Sequence, residues 1–160
     1  MTEKAPTVLA EHLGRDPIFQ DLGEPFLQLL AECAEEREIP PETFLFRAGE
    51  PASSFFLILE GNVMLEVYTP HRHAITLQTL KRGELVGWSW LLPPYRWSFD
   101  AHCMDPARVI AFDGQCLRQR FEQNHELGYQ ILQRFLPVMA QHLRAMQMQL
   151  LEIYETEPDL

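Results

Sequence analysis

The chain has 160 residues, of which 46% are hydrophobic, and its formal net charge is −10. This length and apolar fraction suit one globular domain with a core of its own and exclude general disorder. The 13 basic residues are scattered and outnumbered by 23 acidic ones, which argues against direct binding of nucleic acid. No apolar run is long enough to span a membrane and no signal peptide is present, so we expect a cytoplasmic protein without membrane attachment.

The N-terminal part of the chain is predicted to be an extension followed by one helix. Residues 1–15 show no clear period and are expected to be loosely held within an N-terminal extension of residues 1–17. Residues 23–38 predict a helix, because Gly23 can cap it and Pro25 falls near its first turn. The apolar stripe of that helix comprises Phe26, Leu29, Leu30 and Cys33.

From residue 42 the pattern changes to short strand-like runs that are separated by turns. Gly61 and Asn62 lie between two apolar runs and predict a two-residue β-hairpin. Runs so evenly broken by turns predict an antiparallel barrel or roll, and not βαβ units. The predicted strands are residues 43–49, 54–60, 63–68, 73–80, 98–103 and 107–113.

Two helices are predicted to end the chain. Asp113 can cap a short helix over residues 114–123, and Asn124 can cap a long one that runs to about residue 155. The long helix carries a short apolar stripe, which we expect to pack on the chain's own roll: Leu127, Ile131, Phe135 and Val138. It also carries a heptad seam: Tyr129, Leu132, Leu136, Met139, Leu143, Met146, Leu150 and Ile153.

Two apolar faces on one long helix need two partners, so we predict that the seam pairs with a second copy in a homodimer. Pro137 interrupts the helix at mid-length and is expected to kink it. The seam stays in phase across Pro137, which predicts a bend in the helix and not its end.

Metal and cysteine signals are weak. His71 and His73 fit the H-x-H fragment of metal-dependent β-barrel enzymes, but no carboxylate follows at the required spacing, so metal catalysis is not expected. Cys33, Cys103 and Cys116 are odd in number and too widely spaced for a metal or iron–sulfur site. We expect free thiols in a reducing compartment, without a disulfide, a cofactor or enzyme activity.

A leading helix, an antiparallel roll, a short helix and a long final helix form an order that resembles the cyclic nucleotide-binding domain of the catabolite activator protein (Crp/Fnr) superfamily. Residues 44–67 are similar to the early strands of that family, and Gly83 to Gly87, "GELVG", to the start of its phosphate-binding cassette. The resemblance covers residues 18–155. It implies a mainly β fold, a jelly-roll-like double-stranded β-helix with flanking helices.

The resemblance also implies a division of the chain. Residues 18–123 would form the sensor domain of helix, roll and short helix, and residues 124–156 the dimerisation helix. Regulators of the family continue into a helix-turn-helix that reads DNA, but only "TEPDL" follows the helix here, so no DNA-binding domain is expected.

In ligand-binding members, a glutamate after the second cassette glycine grips the ribose, and an arginine before a Ser or Thr pairs with the cyclic phosphate. Here Trp88 follows Gly87, and Trp97 falls at the arginine position when Ser98 is matched to the Ser or Thr. Arg96 lies one residue away, which on a strand points the side chain to the opposite face. The resemblance therefore assigns the candidate ligand site to Gly83, Glu84, Leu85, Gly87, Trp88, Arg96, Trp97 and Ser98.

These substitutions predict that cyclic AMP is not bound in the family's way. We expect a non-catalytic regulatory domain that senses another small molecule and acts through a separate protein effector. One alternative is a dimeric protein-interaction module whose vestigial pocket is filled by side chains. The other is a genuine binder of cyclic AMP or cyclic GMP that uses Arg96 and Ser98.

Overall fold

Two four-stranded antiparallel sheets pack against each other in the structure, a computed structural model that describes residues 6–156. The strands are β1 (Ala34–Ile39), β2 (Thr43–Phe46), β3 (Ser54–Glu60), β4 (Val63–Thr69), β5 (Arg72–Leu80), β6 (Leu85–Val86), β7 (Asp100–Cys103) and β8 (Ala107–Asp113). The helices are α1 (Pro6–Arg15), α2 (Glu24–Glu32), α3 (Gly114–Gln123) and α4 (His125–Thr156), with a short 3₁₀ turn at Ser89–Leu91. This arrangement confirms the predicted mainly β roll with flanking helices.

The strand order is β1-β8-β3-β6 in one sheet and β2-β7-β4-β5 in the other. The chain therefore changes sheet between β3 and β4, and the hairpin predicted at Gly61 and Asn62 is wrong. Gly61 makes a tight turn with φ +93°, but a Cβ there would lie 2.9 Å from the Pro106 carbonyl oxygen. The turn packs on the β7–β8 connection, which also crosses from one sheet to the other.

The N-terminal predictions need two corrections. Residues 6–15 form α1, which buries Leu9 and Leu13, so the expectation of a loosely held segment is wrong there. The helix predicted over residues 23–38 ends at Glu32, because the following residues pair with β8 as the edge strand β1. Leu27, Leu30 and Ala31 form its buried face, while Phe26 and Leu29 are only partly buried.

The C-terminal predictions are confirmed in their local details. The Asp113 carboxylate accepts a hydrogen bond from the Cys116 backbone N–H, and Asn124 accepts one from Leu127, each at 3.1 Å. Helix α4 continues through Pro137 to Thr156, as the phase of the seam predicts. The short stripe packs on the roll: Leu127, Ile131 and Phe135 are fully buried, and Val138 packs partly buried against the same core.

Aromatic rings join the roll to α4. Phe55 of β3 stacks on Phe112 of β8 and on Trp90, with ring centroids 4.5 and 4.6 Å apart. The ring of Phe135 in α4 meets Phe55 edge-on at 4.9 Å and Trp90 at 5.4 Å. Because all four rings are fully buried, the segment that carries Trp90 and the helix α4 pack as one unit.

Cys33 and Cys116 form a disulfide, so the prediction of free thiols is wrong for these two residues. Cys33 is the C-cap residue of α2, and its carbonyl oxygen accepts a hydrogen bond from the Asp113 N–H at 2.7 Å. Cys116 follows in the first turn of α3, which brings the two Cα atoms to 5.8 Å. The pairing of β1 with β8 thus joins cysteines that are 83 residues apart in sequence. Cys103 is free and buried, and its burial raises the pKa of its thiol.

Reduction of the Cys33–Cys116 disulfide should lower the free energy of unfolding by about 2–4 kcal/mol, because the bond closes a long loop in the unfolded chain. Urea denaturation with and without dithiothreitol measures this loss, and thiol titration checks that reduction is complete. The Cys33→Ser/Cys116→Ser variant should not respond to the reductant, whereas Cys103→Ser should respond as the wild type does. Equal stability of the oxidised and fully reduced protein would refute this role.

Candidate functional site

The cassette segment, residues 83–98, begins with two glycines around a very short strand. Gly83 and Gly87 adopt φ +86° and +91°, and between them β6 pairs with β3 through Leu85 and Val86. Leu85 is buried, and Glu84 is half-buried with its carboxylate accepting a hydrogen bond from the Lys81 N–H at 2.6 Å. The opening of the segment is therefore held by backbone pairing and a local turn.

The indole ring of Trp97 packs directly on the backbone of Gly87. A Cβ added to Gly87 would lie only 2.5 Å from Cη2 of Trp97, so the ring occupies the space that a side chain would need. The indole stacks on Phe46 with centroids 3.7 Å apart and an interplanar angle of 9°. Trp97 is 4% exposed, so the predicted arginine position holds a buried ring.

Arg96 and Ser98 point away from this ring and are exposed. The Trp97 N–H donates to the Glu50 carbonyl at 3.0 Å, and the Trp97 carbonyl accepts from the Gly49 N–H at 2.8 Å. This pairing sets the local register, in which the residues on either side of Trp97 face outward. The Arg96 guanidinium donates to the Gly49 carbonyl oxygen at 2.8 Å, on the surface of the roll.

A cavity of about 320 Å³ lies between the roll and α4, beside the opening of the cassette segment. It brings together Gly83, Glu84, Leu85, Gly87 and Trp88 of the predicted site, while Arg96, Trp97 and Ser98 do not line it. The remaining lining residues are Ile18, Leu65, Gln78, Leu80, Phe99, Gln133, Arg134, Pro137, Val138, Gln141 and His142. A larger groove of about 560 Å³ lies beside the Cys33–Cys116 disulfide and shares no lining residue with this cavity.

His142 is one of the lining residues that the sequence interpretation did not assign to the site. It is 5% exposed, with its ring 4.7 Å from that of Phe99 and 6.1 Å from that of Trp88, measured between centroids. The sequence does contain a signal, because His142 continues the short stripe one turn beyond Val138. A histidine at this place interrupts the apolar pattern, so the stripe by itself does not indicate it.

Two buried nitrogens beside the cavity lack hydrogen-bond partners: Nδ1 of His142 and Nε1 of Trp88. A buried polar group without a hydrogen-bond partner lowers the stability of the fold by about 1–3 kcal/mol, so such groups are rare in native proteins. Burial also lowers the pKa of His142, which keeps the imidazole neutral at neutral pH.

The one lysine or arginine side chain that lines the cavity, Arg134, is already hydrogen-bonded. The Arg134 guanidinium donates to the Ile18 carbonyl at 2.8 Å and to the Gln130 carbonyl at 2.7 Å, and its third nitrogen pairs with Asp21. Arg134 is the one lysine or arginine among the residues that line the cavity. The wall therefore offers an incoming anion no unpaired positive charge.

The heptad seam lies on the face of α4 away from the cavity. Seven of its eight side chains are between 42% and 61% exposed in the single chain: Tyr129, Leu132, Leu136, Leu143, Met146, Leu150 and Ile153. Met139 is partly buried. One helix thus presents a cavity wall on one side and a continuous apolar surface on the other.

Neither a membrane span nor a metal centre is found in residues 6–156. None of the helices there, including the 32-residue α4, combines the length and apolar character that a bilayer span requires. No group of three or more His, Cys, Asp or Glu side chains gathers as a metal site among these residues. His71 and His73 are exposed around the β4–β5 turn.

Comparison with known proteins gives the site its context. Residues 36–124, more than half of the chain, match the family model of the cyclic nucleotide-binding domain. The chain belongs to this family. The resemblance to Crp/Fnr proteins that the cassette and the helix order indicated is confirmed.

Three relatives illustrate the match. The anaerobic regulatory protein of Bacillus subtilis (strain 168) is 27% identical over 82% of this chain, which spans 52% of that protein's length. A protein of Geobacter metallireducens GS-15 named as cyclic nucleotide-binding is 28% identical, with a TM-score of 0.74 over 84% of this chain and 97% of its own. A cyclic nucleotide-binding domain of Methylobacillus flagellatus KT is 20% identical, with a TM-score of 0.75 over 95% of this chain and 84% of its own.

Gly87→Ala should destabilise the fold by about 2–4 kcal/mol, because the new methyl group meets the Trp97 ring and the residue keeps a positive φ. Gly83→Ala is the matched control, since it has a similar φ but nothing within 4 Å, and should cost about 1 kcal/mol.

A double-mutant cycle separates the ring contact from the backbone strain. Gly87→Ala/Trp97→Ala should be less destabilised than the sum of its two single variants, as urea denaturation can measure. Equal costs for the two glycine substitutions, or strict additivity in the cycle, would contradict the close contact between Gly87 and Trp97.

Proposed function

We propose that this chain is a non-catalytic regulatory domain that senses a small molecule other than a cyclic nucleotide. The observation that carries the proposal is the contact of the buried Trp97 indole with Gly87, with Trp97 at the position that the alignment gives to the family's phosphate-binding arginine. Arg96, the nearest guanidinium in sequence, is turned to the surface and bonded to Gly49. The regulatory role named for the Bacillus subtilis relative supports the functional class.

The cavity favours a sensor over a module whose pocket is vestigial. Trp97 fills the phosphate position, but about 320 Å³ stays open between the cassette segment and α4. Pockets of this size hold small molecules in many proteins. The unpaired nitrogens of Trp88 and His142 beside this space support a ligand that would hydrogen-bond to them.

The proposed signal passes through α4. His142 borders the cavity, and its neighbour Leu143 belongs to the seam on the other side of the helix. A ligand that binds one arrangement of the cassette segment and α4 more tightly shifts the population toward it. The shift alters the pairing of two α4 helices, and a separate protein effector reads the change.

The seam is proposed as the interface of a homodimer. Its apolar side chains run along the whole length of α4, including the turns beyond the roll, and heptad spacing matches the packing of two helices. The net charge of −10 supports a protein partner over direct contact with nucleic acid.

Cyclic AMP and cyclic GMP should bind with dissociation constants of about 1 mM or weaker, since the loss of the arginine and the glutamate each costs about 2–4 kcal/mol. Isothermal titration calorimetry measures both constants. Adenosine, which lacks the phosphate, is the control and should bind no more weakly than cyclic AMP. A micromolar constant for either cyclic nucleotide would mean that the family's ligand is retained, through Arg96 and Ser98, and would overturn the proposal.

Met146→Glu should convert the dimer to monomers, because it places a charge in the centre of the apolar seam. Met148→Glu is the matched control: this methionine is 59% exposed on the same helix, off the seam, so the variant should stay dimeric. Leu143→Glu should behave as Met146→Glu does. Light scattering coupled to size-exclusion chromatography gives the molar masses, and an unaltered dimer of Met146→Glu would rule out the seam.

A further inference from the structure

The wall of the cavity combines aromatic rings with unmet hydrogen-bonding groups. Trp88 of the cassette segment, Phe99 before β7 and His142 of α4 come together there, with the centroid of the His142 ring 4.7 Å from that of Phe99 and 6.1 Å from that of Trp88. Leu65, Leu80 and Val138 complete an apolar surface around these rings. Flat aromatic walls favour flat aromatic ligands, which stack on them or meet them edge-on.

The polar groups in this wall can recognise a ligand. Nδ1 of His142 and Nε1 of Trp88 have no hydrogen-bond partners, although His142 is nine-tenths buried. A half-turn of the imidazole exchanges Nδ1 with Cδ2 within the same ring outline, so the nitrogen can reach a ligand without repacking of the core. A neutral imidazole offers one donor and one acceptor, which suits a ligand group that both donates and accepts.

The charges of the wall exclude an anion. The ionisable side chains that line the cavity are Glu84, Arg134 and His142. All three guanidinium nitrogens of Arg134 donate to other groups, and burial lowers the pKa of His142, so the imidazole is uncharged. Glu84 would repel an anion and already accepts the Lys81 N–H, which weakens its pull on a cation.

We propose that the cavity between the roll and α4 binds an uncharged, planar aromatic molecule that hydrogen-bonds to His142 and Trp88. The inference rests on the proposed sensor function and names the ligand class of that same site. It assigns His142 a role in specificity, because this residue supplies the one imidazole among the α4 residues that line the cavity, where the other polar groups are two amides and the paired Arg134 guanidinium.

Three naphthalene probes that share one ring system and differ in charge test the proposal. They are naphthalene-2-carboxamide, naphthalene-2-carboxylate and 2-naphthylmethylammonium. Calorimetry near neutral pH should give the neutral carboxamide an affinity about tenfold or more above that of either ion. Nitrogen NMR of the His142 ring should show its signals shift when the carboxamide is added.

Histidine variants show whether the imidazole recognises the probe. His142→Phe should reduce the affinity for the carboxamide by about fivefold or more, and His142→Gln, which keeps a donor and an acceptor, should restore most of it. His71→Phe makes the same change at an exposed histidine outside the cavity and should bind as the wild type does.

The proposal is overturned if the carboxylate or the ammonium ion binds as tightly as the carboxamide, if none of the probes binds, or if His142→Phe binds the carboxamide unchanged. These failures are distinct from failure of the sensor function itself. The proposed function, sensing of a molecule other than a cyclic nucleotide, is refuted by micromolar binding of a cyclic nucleotide, which the naphthalene series does not measure.

Discussion

The contact between the Trp97 indole and the backbone of Gly87 determines the character of the site. It requires a residue without a Cβ at φ +91°, and it buries a ring against Phe46 at the position that the alignment with the family gives to an arginine. Backbone hydrogen bonds hold residue 97 between Glu50 and Gly49, a register in which the neighbouring Arg96 faces outward. Under the proposed function, one aromatic residue would deprive a cyclic phosphate of its partner in two ways: the ring takes the arginine position, and the guanidinium of Arg96 lies at the surface. The open space that is left lies next to α4, whose polar lining groups are two amides, the paired Arg134 guanidinium and the imidazole of His142.

The packing around this contact explains how a small cavity could influence the long helix. Phe55, Trp90 and Phe135 form a buried aromatic chain from the roll through the cassette segment to α4. Close-packed protein interiors transmit displacements, because a buried ring cannot move without moving its neighbours. A ligand that shifts Trp88 would act on Trp90 two residues later, and so on the face of α4 that holds Phe135. The apolar seam lies on the other side of the same turns, so the cavity and the proposed dimer interface share one rigid element.

Features set by neighbouring residues could be predicted from the sequence, whereas features set by distant ones could not. The caps at Asp113 and Asn124 and the buried stripe of α4 depend on spacings within one or two turns, and all are found. Gly61 and Asn62 specified a tight turn but not its partners, and β3 and β4 pair with β8 and β7 in different sheets. The disulfide depends on the pairing of β1 with β8. Its cysteines are 83 residues apart, so the sequence pattern did not predict that they meet. In the site, family alignment located Trp97, but the partners of Trp88 lie on α4, and His142 was missed because it interrupts an apolar pattern.

The charge of the wall limits how easily this domain could bind the family's ligand again. An arginine at position 97 would place a guanidinium beside Phe46, with the nearest cassette carboxylate, Glu84, already bonded to Lys81. Arg134 cannot be released for a phosphate without breaking its bonds to Ile18 and Asp21, which tie the segment before α2 to α4. A buried anion needs a cationic hydrogen-bond donor that is not already paired, and the described residues that line this cavity include no such lysine or arginine. Under the proposed function, specificity against the cyclic nucleotide would come from several residues that act together, the paired Arg134 and Glu84 as well as the two tryptophans.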